Sequence, residues 1–395
     1  MFDDLIQFVR RWYETDACVP LHEPRFGELD RRYVMDAIDS TFVSSVGEYV
    51  DRFEQELAWY VGAKRAVATV NGTAALQVAL RLAGVTPGAE VITQPLTFVA
   101  TANAIVHNHA HPVFVDVDFE TMGLSPAALN AFLKQFAQKR TDGVYNRFSG
   151  RRIAAIVPMH TFGHPCRMEG LLELADGWEI PLVEDATEAL GSFFKGRHCG
   201  TFGKLGVFSF NGNKTITCGG GGAIVTDDEE LADHAKHLTT TAKTQHPWDY
   251  VHDEIGYNYR LPNLNAALAC AQLEQADEFL SDKRELAGAF EGFFAGAGWG
   301  TFLKEPAGCR SNYWLNAVIT ANLALRDDLL RLTNESRVMT RPIWRLIPEL
   351  DIYCHCQTGP IDNARRLQEQ VVNLPSSARK KRTGMQKERF EPAVL

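Results

Sequence analysis

Ser209 and Lys214 lie five residues apart at the start of SFNGNKTITCGGGG, which spans residues 209–222. The lysine occupies a tight turn after the apolar run 206–210, where a lysine can be held against a bound carbonyl or aldehyde and form an imine with it. The lysine precedes the glycines, and the glycines open a strand-like run at 223–226 rather than a helix. This order matches neither a P-loop nor a dinucleotide fingerprint.

A turn with phosphate-binding chemistry lies at Asn71-Gly72-Thr73, between a strand-like run and a helical one. A helix N-terminus offers unpaired N–H groups and a positive dipole, both of which suit a phosphate. Gly72 allows close approach of the backbone, and Thr73 adds a hydroxyl. Many such turns only cap a helix, so this segment alone leaves both interpretations open.

Two acids, Glu184 and Asp185, end the apolar run 181–185. Ligands bind outside the carboxyl ends of strands in open parallel sheets, and a buried acid requires a positive partner. An acid that caps the next helix is the alternative. A polar aromatic cluster at 257–260 suits either a hairpin surface or a ligand rim.

The order of these segments is more informative than any one of them. A phosphate-type turn is followed by an aromatic segment at 96–105, an acid at a strand end, a Ser-x-x-x-x-Lys pattern and a glycine-rich return. Pyridoxal phosphate needs donors for its phosphate, an aromatic face for its ring, a carboxylate for its pyridine nitrogen and a lysine for its aldehyde. The sequence therefore predicts a site for this cofactor.

The composition is that of a soluble globular protein. The 395 residues suggest about two domains, with 45% hydrophobic and 23% charged residues. Forty basic against forty-nine acidic residues give a net charge of −9, which argues against nucleic acid or an anionic membrane as partner. No apolar run reaches the ~18 residues of a membrane span. The first residues carry early acids and predict an amphipathic helix rather than a secretory signal.

Eight cysteines are scattered without a CxxC pair. This usage indicates no disulfide framework and fits a reducing cytoplasm. The stretches richest in metal-ligand residue types are His107-x-His109-x-His111 and 354–356, Cys-His-Cys. Both lack a second ligand pair at zinc spacing, so no metal site is predicted.

Strand-like and helical patterns alternate between residues 66 and 240, which favours an α/β fold with a mostly parallel central sheet. Ser125 and Asp228 occupy expected helix N-cap positions. The strand candidates are 66–70, 91–93, 112–117, 153–158, 181–185, 206–210 and 223–226, and the helical ones are 74–83, 101–108, 125–136 and 228–238.

Three units are predicted along the chain. Residues 1–30 form an N-terminal helix or arm, 31–265 a large cofactor-binding α/β domain, and 266–395 a smaller α+β domain. Within the large domain, 144–152 is polar and aperiodic and is expected to be a surface loop. The charged segment 377–390 is predicted to be a solvated terminus.

The chain resembles sugar aminotransferases of the DegT/DnrJ/EryC1/StrS family, and within it the LegC type. The resemblance runs from about residue 20 to 378. It rests on STFVSSVGEYVDRFE, ATVNGTAALQVAL, TQPLTFVATANAI, PMHTFGHP, SFNGNKTITCGGGG, HDEIGYNYRLPNLNAAL and SNYWLNA, among others. It implies the aspartate-aminotransferase fold (fold type I), pyridoxal 5′-phosphate as cofactor and pyridoxamine 5′-phosphate as an intermediate.

The same resemblance assigns the residues around the cofactor ring. Lys214 matches the lysine that forms the imine, and Asp185 matches the carboxylate paired with the pyridine nitrogen. Phe98 matches the aromatic residue stacked on the ring. Glu188 matches a polar position beside the cofactor that is often Gln or His in relatives.

The phosphate contacts are implied in the same way. Ser209 matches the serine that holds the phosphate, and Gly72 and Thr73 match the phosphate turn. The asparagine matching Asn258 reaches the phosphate of the neighbouring subunit, which implies a homodimer with shared active sites.

The resemblance also implies the reaction. LegC-type enzymes aminate C4 of a nucleotide-linked 4-keto-6-deoxy-N-acetylhexosamine, here expected to be UDP-linked, with L-glutamate as donor, on the way to legionaminic acid or a bacillosamine-type sugar. His160, Lys243 and Arg341 are the predicted contacts to the sugar diphosphate or the glutamate carboxylate.

Four alternatives remain at this stage. They are a GDP-linked substrate, a pyridoxamine-dependent dehydratase, a non-catalytic sensor on the same fold and, well below these, a dinucleotide-dependent oxidoreductase. The dehydratase branch of the family carries His in place of Lys214, which disfavours it here.

Overall fold

The computed structural model describes residues 2–379. The helices are α1 (Phe2–Tyr13), α2 (Glu28–Asp39), α3 (Glu48–Val61), α4 (Gly72–Leu82), α5 (Val99–His107), α6 (Pro126–Phe136), α7 (Met168–Trp178), α8 (Glu229–Thr239), α9 (Asn263–Glu274), α10 (Ala276–Ala297), α11 (Leu323–Glu335) and α12 (Asp362–Gln370). The strands are β1 (Arg65–Thr69), β2 (Glu90–Thr93), β3 (His111–Phe114), β4 (Ala137–Arg140), β5 (Gly143–Asn146), β6 (Ile153–Val157), β7 (Val183–Asp185), β8 (Phe193–Phe194), β9 (Arg197–His198), β10 (Leu205–Ser209), β11 (Gly222–Thr226), β12 (Gly300–Phe302), β13 (Cys309–Arg310), β14 (Asn316–Thr320), β15 (Arg341–Pro342) and β16 (Val371–Leu374).

The central sheet joins two strand sets in the order β1-β11-β10-β7 and β6-β2-β3. The bridges Ile156–Leu182 and Met159–Asp185 connect β6 to β7 in parallel. Within this sheet, β11 runs antiparallel to β1 and β10, whereas β10–β7, β2–β6 and β2–β3 pair in parallel. The predicted α/β class with a mostly parallel central sheet is therefore confirmed.

Local sequence signals position these elements. The strands β6 and β11 are buried along their whole length, as expected for a sheet covered by helices on both faces. The predicted N-caps are confirmed, because Ser125 accepts a hydrogen bond from the Ala128 amide and Asp228 accepts one from the Leu231 amide. Each bond satisfies one of the free N–H groups of a helix start.

Two expectations need correction. The surface loop predicted over 144–152 is wrong for its first residues, because β5 pairs with β4 as an antiparallel hairpin. The sequence also predicts one long helix over 265–294; these residues are helical, but they divide at Gln275 into α9 and α10. This hairpin resembles a loop in sequence because β4 is mostly exposed and one of the two buried positions of β5 is the polar Asn146.

The C-terminal part is built on a second sheet in the order β12-β14-β16-β15. The N-terminal helix α1 is confirmed, and it packs on this part, since Leu5 and Val9 share an apolar cluster with Phe290 and Val372. The three predicted domain boundaries stay a prediction. The segment predicted as a solvated tail lies mostly outside the described residues.

None of the helices between residues 2 and 379 combines the length and apolar content that crossing a bilayer requires.

The contact between α1 and the C-terminal part gives a stability prediction. Phe290 is fully buried, and its ring lies 5.2 Å from that of Phe8 and 6.0 Å from that of Phe302. Phe290→Ala should lower the free energy of unfolding by about 3–5 kcal/mol through lost burial and a residual cavity, measured by denaturant unfolding. Phe148→Ala, at a ring that is 74% exposed, is the control and should change it by less than about 0.5 kcal/mol. Equal losses would contradict this packing.

Candidate active site

Asp185 lies at the carboxyl end of β7, in the middle of the central sheet. Its backbone N–H donates to the Pro158 carbonyl at 2.9 Å, and its carbonyl accepts from the His160 N–H at 3.1 Å. On the other side, Val207 of β10 is its register neighbour. Both neighbouring strands therefore fix the position from which its side chain projects.

The Asp185 carboxylate is 3% exposed and is held by neutral donors. Oδ2 accepts from Thr101 Oγ1 at 2.7 Å, and Oδ1 accepts from Thr187 Oγ1 at 2.7 Å and from the Thr187 N–H at 3.2 Å. Within residues 2–379 no cation pairs with it. A buried carboxylate without a positive partner is costly, so this geometry favours a cationic group supplied by a ligand.

Glu184 projects to the opposite face of β7, as strand alternation requires. Its Oε1 accepts from the Phe202 and Gly203 amides, and its Oε2 accepts from the Gly200 amide. These bonds fasten the 200–203 loop beneath the sheet. Of the two adjacent acids, Glu184 supports the fold, and the site assignment of Asp185 stays a prediction.

His160, one of the predicted substrate contacts, is fully buried. Its Nδ1 accepts from the Cys166 N–H at 3.1 Å, and its Nε2 lies 3.0 Å from Glu184 Oε2. The protein therefore occupies both ring nitrogens. This geometry favours a structural role over the predicted contact with substrate.

The predicted phosphate turn lies at the start of α4, beside the end of β10. Asn71 caps the helix by accepting from the Ala74 N–H at 2.8 Å. The Gly72 and Thr73 N–H groups are the first two of the helix and have no intrahelical acceptor. A Cβ added to Gly72 would lie 2.9 Å from Ser209 Cβ, so glycine allows the serine to approach the turn.

The glycine-rich return has a steric explanation. Gly222, the first residue of β11, pairs with Thr69 on one side and Ser209 on the other. A Cβ at Gly222 would lie 2.5–2.6 Å from backbone atoms of Asn71 and Gly72. Residue 222 must therefore be glycine for the phosphate turn to sit against the sheet.

Lys214 lies in the turn that follows β10, and its N–H donates to the Asn211 carbonyl at 3.0 Å. Its Nζ is 3.2 Å from Glu188 Oε1, with side chains that are 13% and 2% exposed. Nζ also lies 4.0 Å from the centre of the Trp314 ring. The amine thus points into the protein, toward a carboxylate and an aromatic face, rather than into solvent.

Both Asp185 and Lys214 influence the pKa of Glu188. Burial raises its pKa to about 7, and the charge of Asp185 acts in the same direction, while Lys214 and the Phe162 N–H lower it. That N–H donates to Glu188 Oε2 at 2.9 Å. Phe162 makes this bond in a left-handed conformation, φ 56°, which costs a non-glycine residue energy and is common at functional sites.

Phe98 immediately precedes α5, about one turn before Thr101, and it is 50% exposed. The ring lies 6.1 Å from that of Trp344, which lies 5.0 Å from that of Phe162. An exposed aromatic face is thus placed one helical turn from the residue that holds Asp185. This placement is compatible with ring stacking, which stays a prediction.

The remaining predicted residues lie on exposed segments. Asn258 bridges to Thr240, and its Oδ1 accepts from Arg260 Nε at 3.0 Å. Lys243 Nζ lies over the Tyr250 ring, 4.1 Å from its centre. Arg341 donates to Asn334 Oδ1 and to the Thr340 carbonyl. None of these bonds reaches Lys214 or Asp185, so the three assignments stay predictions.

Sequence reasoning missed the residues that hold the site together. Thr187 follows Asp185 by two positions, so an Asx-type turn there was a readable signal. Thr101 and Trp314 lie in two of the motifs that carry the family resemblance, but only the fold shows what their side chains contact. No group of three or more His, Cys, Asp or Glu suited to a metal ion occurs in the described part of the chain.

The model of the DegT/DnrJ/EryC1/StrS aminotransferase family matches residues 24–387. A GDP-perosamine synthase of Escherichia coli O157:H7 is 37% identical over 359 residues, covering 91% of this chain and 93% of that protein. A GDP-perosamine synthase of Vibrio cholerae is 34% identical over 363 residues, covering 91% and 94%.

Solved structures agree with the fold. The aminotransferase TlmJ from Streptoalloteichus hindustanus superposes with a TM-score of 0.82 at 27% identity, over 91% of this chain and 94% of that one. DesI, solved in the presence of its TDP-sugar product, gives a TM-score of 0.79 at 28% identity, over 91% and 88%. The predicted family and fold type I are confirmed, while the LegC-type assignment stays a prediction.

The residues present fit pyridoxal phosphate. Ser209 lies against Gly72 at the start of α4, where unpaired helix N–H groups suit a phosphate. A buried carboxylate that no cation in residues 2–379 pairs with suits a protonated pyridine nitrogen. The Lys214 amine lies 3.2 Å from Glu188 Oε1, in the turn that follows Ser209. The donor set alone therefore supports the cofactor that the family uses.

The raised pKa of Glu188 predicts how stability depends on pH. The folded chain holds this proton up to about pH 7, whereas a glutamate of ordinary pKa, 4.5, releases it earlier. Stability is therefore lost as pH rises from about 4.5 to about 7, by at most about 3 kcal/mol. Glu188→Gln should remove this slope in cofactor-free protein, measured by denaturant unfolding between pH 4.5 and 8.

Comparing the two proteins across pH cancels the fixed cost of the substitution. Parallel stability curves for the wild type and Glu188→Gln would contradict the raised pKa.

Proposed function

Because this chain belongs to the DegT/DnrJ/EryC1/StrS family of pyridoxal-phosphate-dependent aminotransferases, we propose that it transfers the amino group of L-glutamate to C4 of a nucleotide-linked 4-keto-6-deoxy sugar. The observation that carries the proposal is the placement of Lys214 Nζ. It lies 3.2 Å from Glu188 Oε1, in the turn after β10, at the same sheet edge as Asp185 and the phosphate turn.

When bound, pyridoxal phosphate supplies an electron sink and carries the amino group between the two substrates. The α4 N-terminus with Thr73 and Ser209 would hold its phosphate, and Phe98 would cover one ring face. These contacts fix the reacting carbon relative to Lys214 and exclude water from one side.

Lys214 is the base and acid of the proposed reaction. In the first half, its Nζ takes the proton from the α-carbon of glutamate; in the second, it delivers a proton to C4 of the sugar. Glu188, at 3.2 Å, holds the ammonium between these transfers. A lysine arm has the flexibility to serve both positions.

Asp185 keeps a proton on the pyridine nitrogen. Thr101 and Thr187 fix both of its oxygens, so its charge is preorganised rather than free to turn away. A carboxylate in this position makes the ring a better electron acceptor during proton abstraction.

The sugar is proposed from two sources. The LegC-type resemblance favours UDP-2-acetamido-2,6-dideoxy-4-keto-glucose, and so a product for legionaminic acid or bacillosamine-type sugars. The two similar curated relatives are named as GDP-perosamine synthases, which supports a GDP-linked sugar as second candidate. Both candidates share amination at C4.

A homodimer with shared active sites is part of the proposal. Large apolar side chains are exposed near Asn258, among them Trp248 at 82% and Ile255 at 82%. Exposed apolar patches of this kind mark interaction surfaces. A second copy of the chain would cover them and bring its own Asn258 toward this site.

The substrate panel tests the function. Purified protein is incubated with L-glutamate and either UDP- or GDP-linked 4-keto-6-deoxy-N-acetylglucosamine, or GDP-4-keto-6-deoxymannose, and products are identified by mass and NMR. We expect a 4-amino sugar and 2-oxoglutarate from one of them. Lys214→Ala should lose activity at least about 10³-fold with an unchanged circular dichroism spectrum.

Two outcomes would contradict the proposal. Near-normal turnover by Lys214→Ala would remove its base, and conversion of the sugar without glutamate would indicate a dehydratase.

Asp185→Asn tests the ring-protonation role. The amide keeps the shape and an acceptor oxygen for Thr187, but it loses the charge and reverses the bond to Thr101, whose hydroxyl must now accept. We therefore expect the rate constant for the glutamate half-reaction to fall about 10²–10⁴-fold. It is measured by stopped-flow absorbance of the cofactor. Asp118→Asn, at a surface carboxylate paired with Arg167, is the matched control. An unchanged rate in Asp185→Asn would refute the role.

A further inference from the structure

Trp314 contacts the Lys214 turn in two ways that the proposed chemistry leaves unexplained. Its ring centre lies 4.0 Å from Lys214 Nζ, which is close for an ammonium over an aromatic face. Its indole N–H donates to the Asn213 carbonyl at 2.6 Å. One side chain therefore holds both the amine and the backbone of the residue before it.

Trp314 is itself rigidly placed. The residue is 4% exposed, and its backbone N–H donates to Asn312 Oδ1 at 2.8 Å. The amide of Asn312 in turn donates to the carbonyls of Glu188 and Leu190, at 2.8 and 2.9 Å. The ring and the carboxylate that flank the Lys214 amine are thus tied to each other through Asn312.

A buried lysine, Lys283, holds the backbone of Trp314. Lys283 is 1% exposed, and its Nζ donates to the Trp314 carbonyl at 3.1 Å, to the Ser376 carbonyl at 2.5 Å and to His22 Nε2 at 3.0 Å. Three acceptors satisfy its three protons. Through Lys283, segments near both ends of the described chain, at His22 and Ser376, are therefore connected to Trp314, whose ring faces the Lys214 amine.

We propose that Trp314 is a positioning residue for Lys214: with Glu188 it forms a seat for the amine whenever that amine is not bonded to the cofactor. The proposal rests on the proposed function. The seat stabilises the compact ammonium, and it loses that contact when Nζ joins the cofactor aldehyde with release of water. It therefore favours the cofactor-free and pyridoxamine states over the covalent state.

This differential contact can be measured by binding alone. Binding of pyridoxal phosphate consumes the free amine, whereas binding of pyridoxamine phosphate leaves it in the seat. A substitution changes the affinities for two ligands by different amounts only where the two bound states differ in the contacts that it removes. Weakening the seat should therefore tighten pyridoxal phosphate binding and leave pyridoxamine phosphate binding unchanged.

The experiment compares Trp314→Leu, Trp314→Phe and the wild type as cofactor-free proteins, titrated with each cofactor form by calorimetry. For Trp314→Leu, the ratio Kd(pyridoxamine phosphate)/Kd(pyridoxal phosphate) should rise about 2- to 30-fold, the span of a cation–π contact. Trp314→Phe keeps an aromatic face that attracts the ammonium more weakly, so the Kd ratio should rise less in this variant. Trp59→Leu, at a tryptophan that is 83% exposed, should leave the ratio unchanged.

An unchanged ratio in Trp314→Leu would overturn the proposal, and so would an equal loss of affinity for both forms, which would mean that Trp314 contacts the cofactor itself. If Trp314→Leu does not fold, the smaller rise in Trp314→Phe decides. Neither titration requires glutamate or a sugar. If none of the nucleotide sugars is aminated but the Kd ratio shifts, the proposed function is refuted and the role of Trp314 stands. If a sugar is aminated but the Kd ratio does not shift, the role of Trp314 is refuted and the proposed function stands.

Discussion

One partly buried ion pair organises the candidate site, that between Lys214 Nζ and Glu188 Oε1 at 3.2 Å. Charges removed from water are tolerated only where opposite charge or hydrogen bonds replace the water. Glu188 receives both, from Lys214 and from the Phe162 N–H, and Phe162 adopts a left-handed backbone to provide it. Among the described residues, Asp185 receives hydrogen bonds from neutral donors alone. The two acids thus differ in environment, and that of Asp185 favours a cationic ligand.

The central sheet brings these groups together. Parallel strands end at one edge, so the residues after β7 and β10 and the start of α4 meet there although they are far apart in sequence. Glycine at 72 and 222 removes the Cβ atoms that would separate the phosphate turn from Ser209 and the sheet. The site therefore depends as much on what those positions lack as on the polar groups beside them.

The sequence predicted the parts of this protein that depend on local pattern. Buried strands, N-caps and the family motifs were visible, and they led to Lys214 and Asp185. The hairpin at 137–146 was missed because half-exposed polar strands look like loops. The supports Thr101, Trp314 and Lys283 could not be found, since each reaches the site through tertiary packing. For His160, the sequence did not reveal that backbone and carboxylate would occupy its ring.

The most direct measurement of the central claim is borohydride reduction of the protein loaded with pyridoxal phosphate, followed by peptide mass spectrometry. We predict that the cofactor becomes covalently attached to a single peptide, the one that contains Lys214. Fixation to another lysine, or no fixation in protein that demonstrably binds the cofactor, would contradict it.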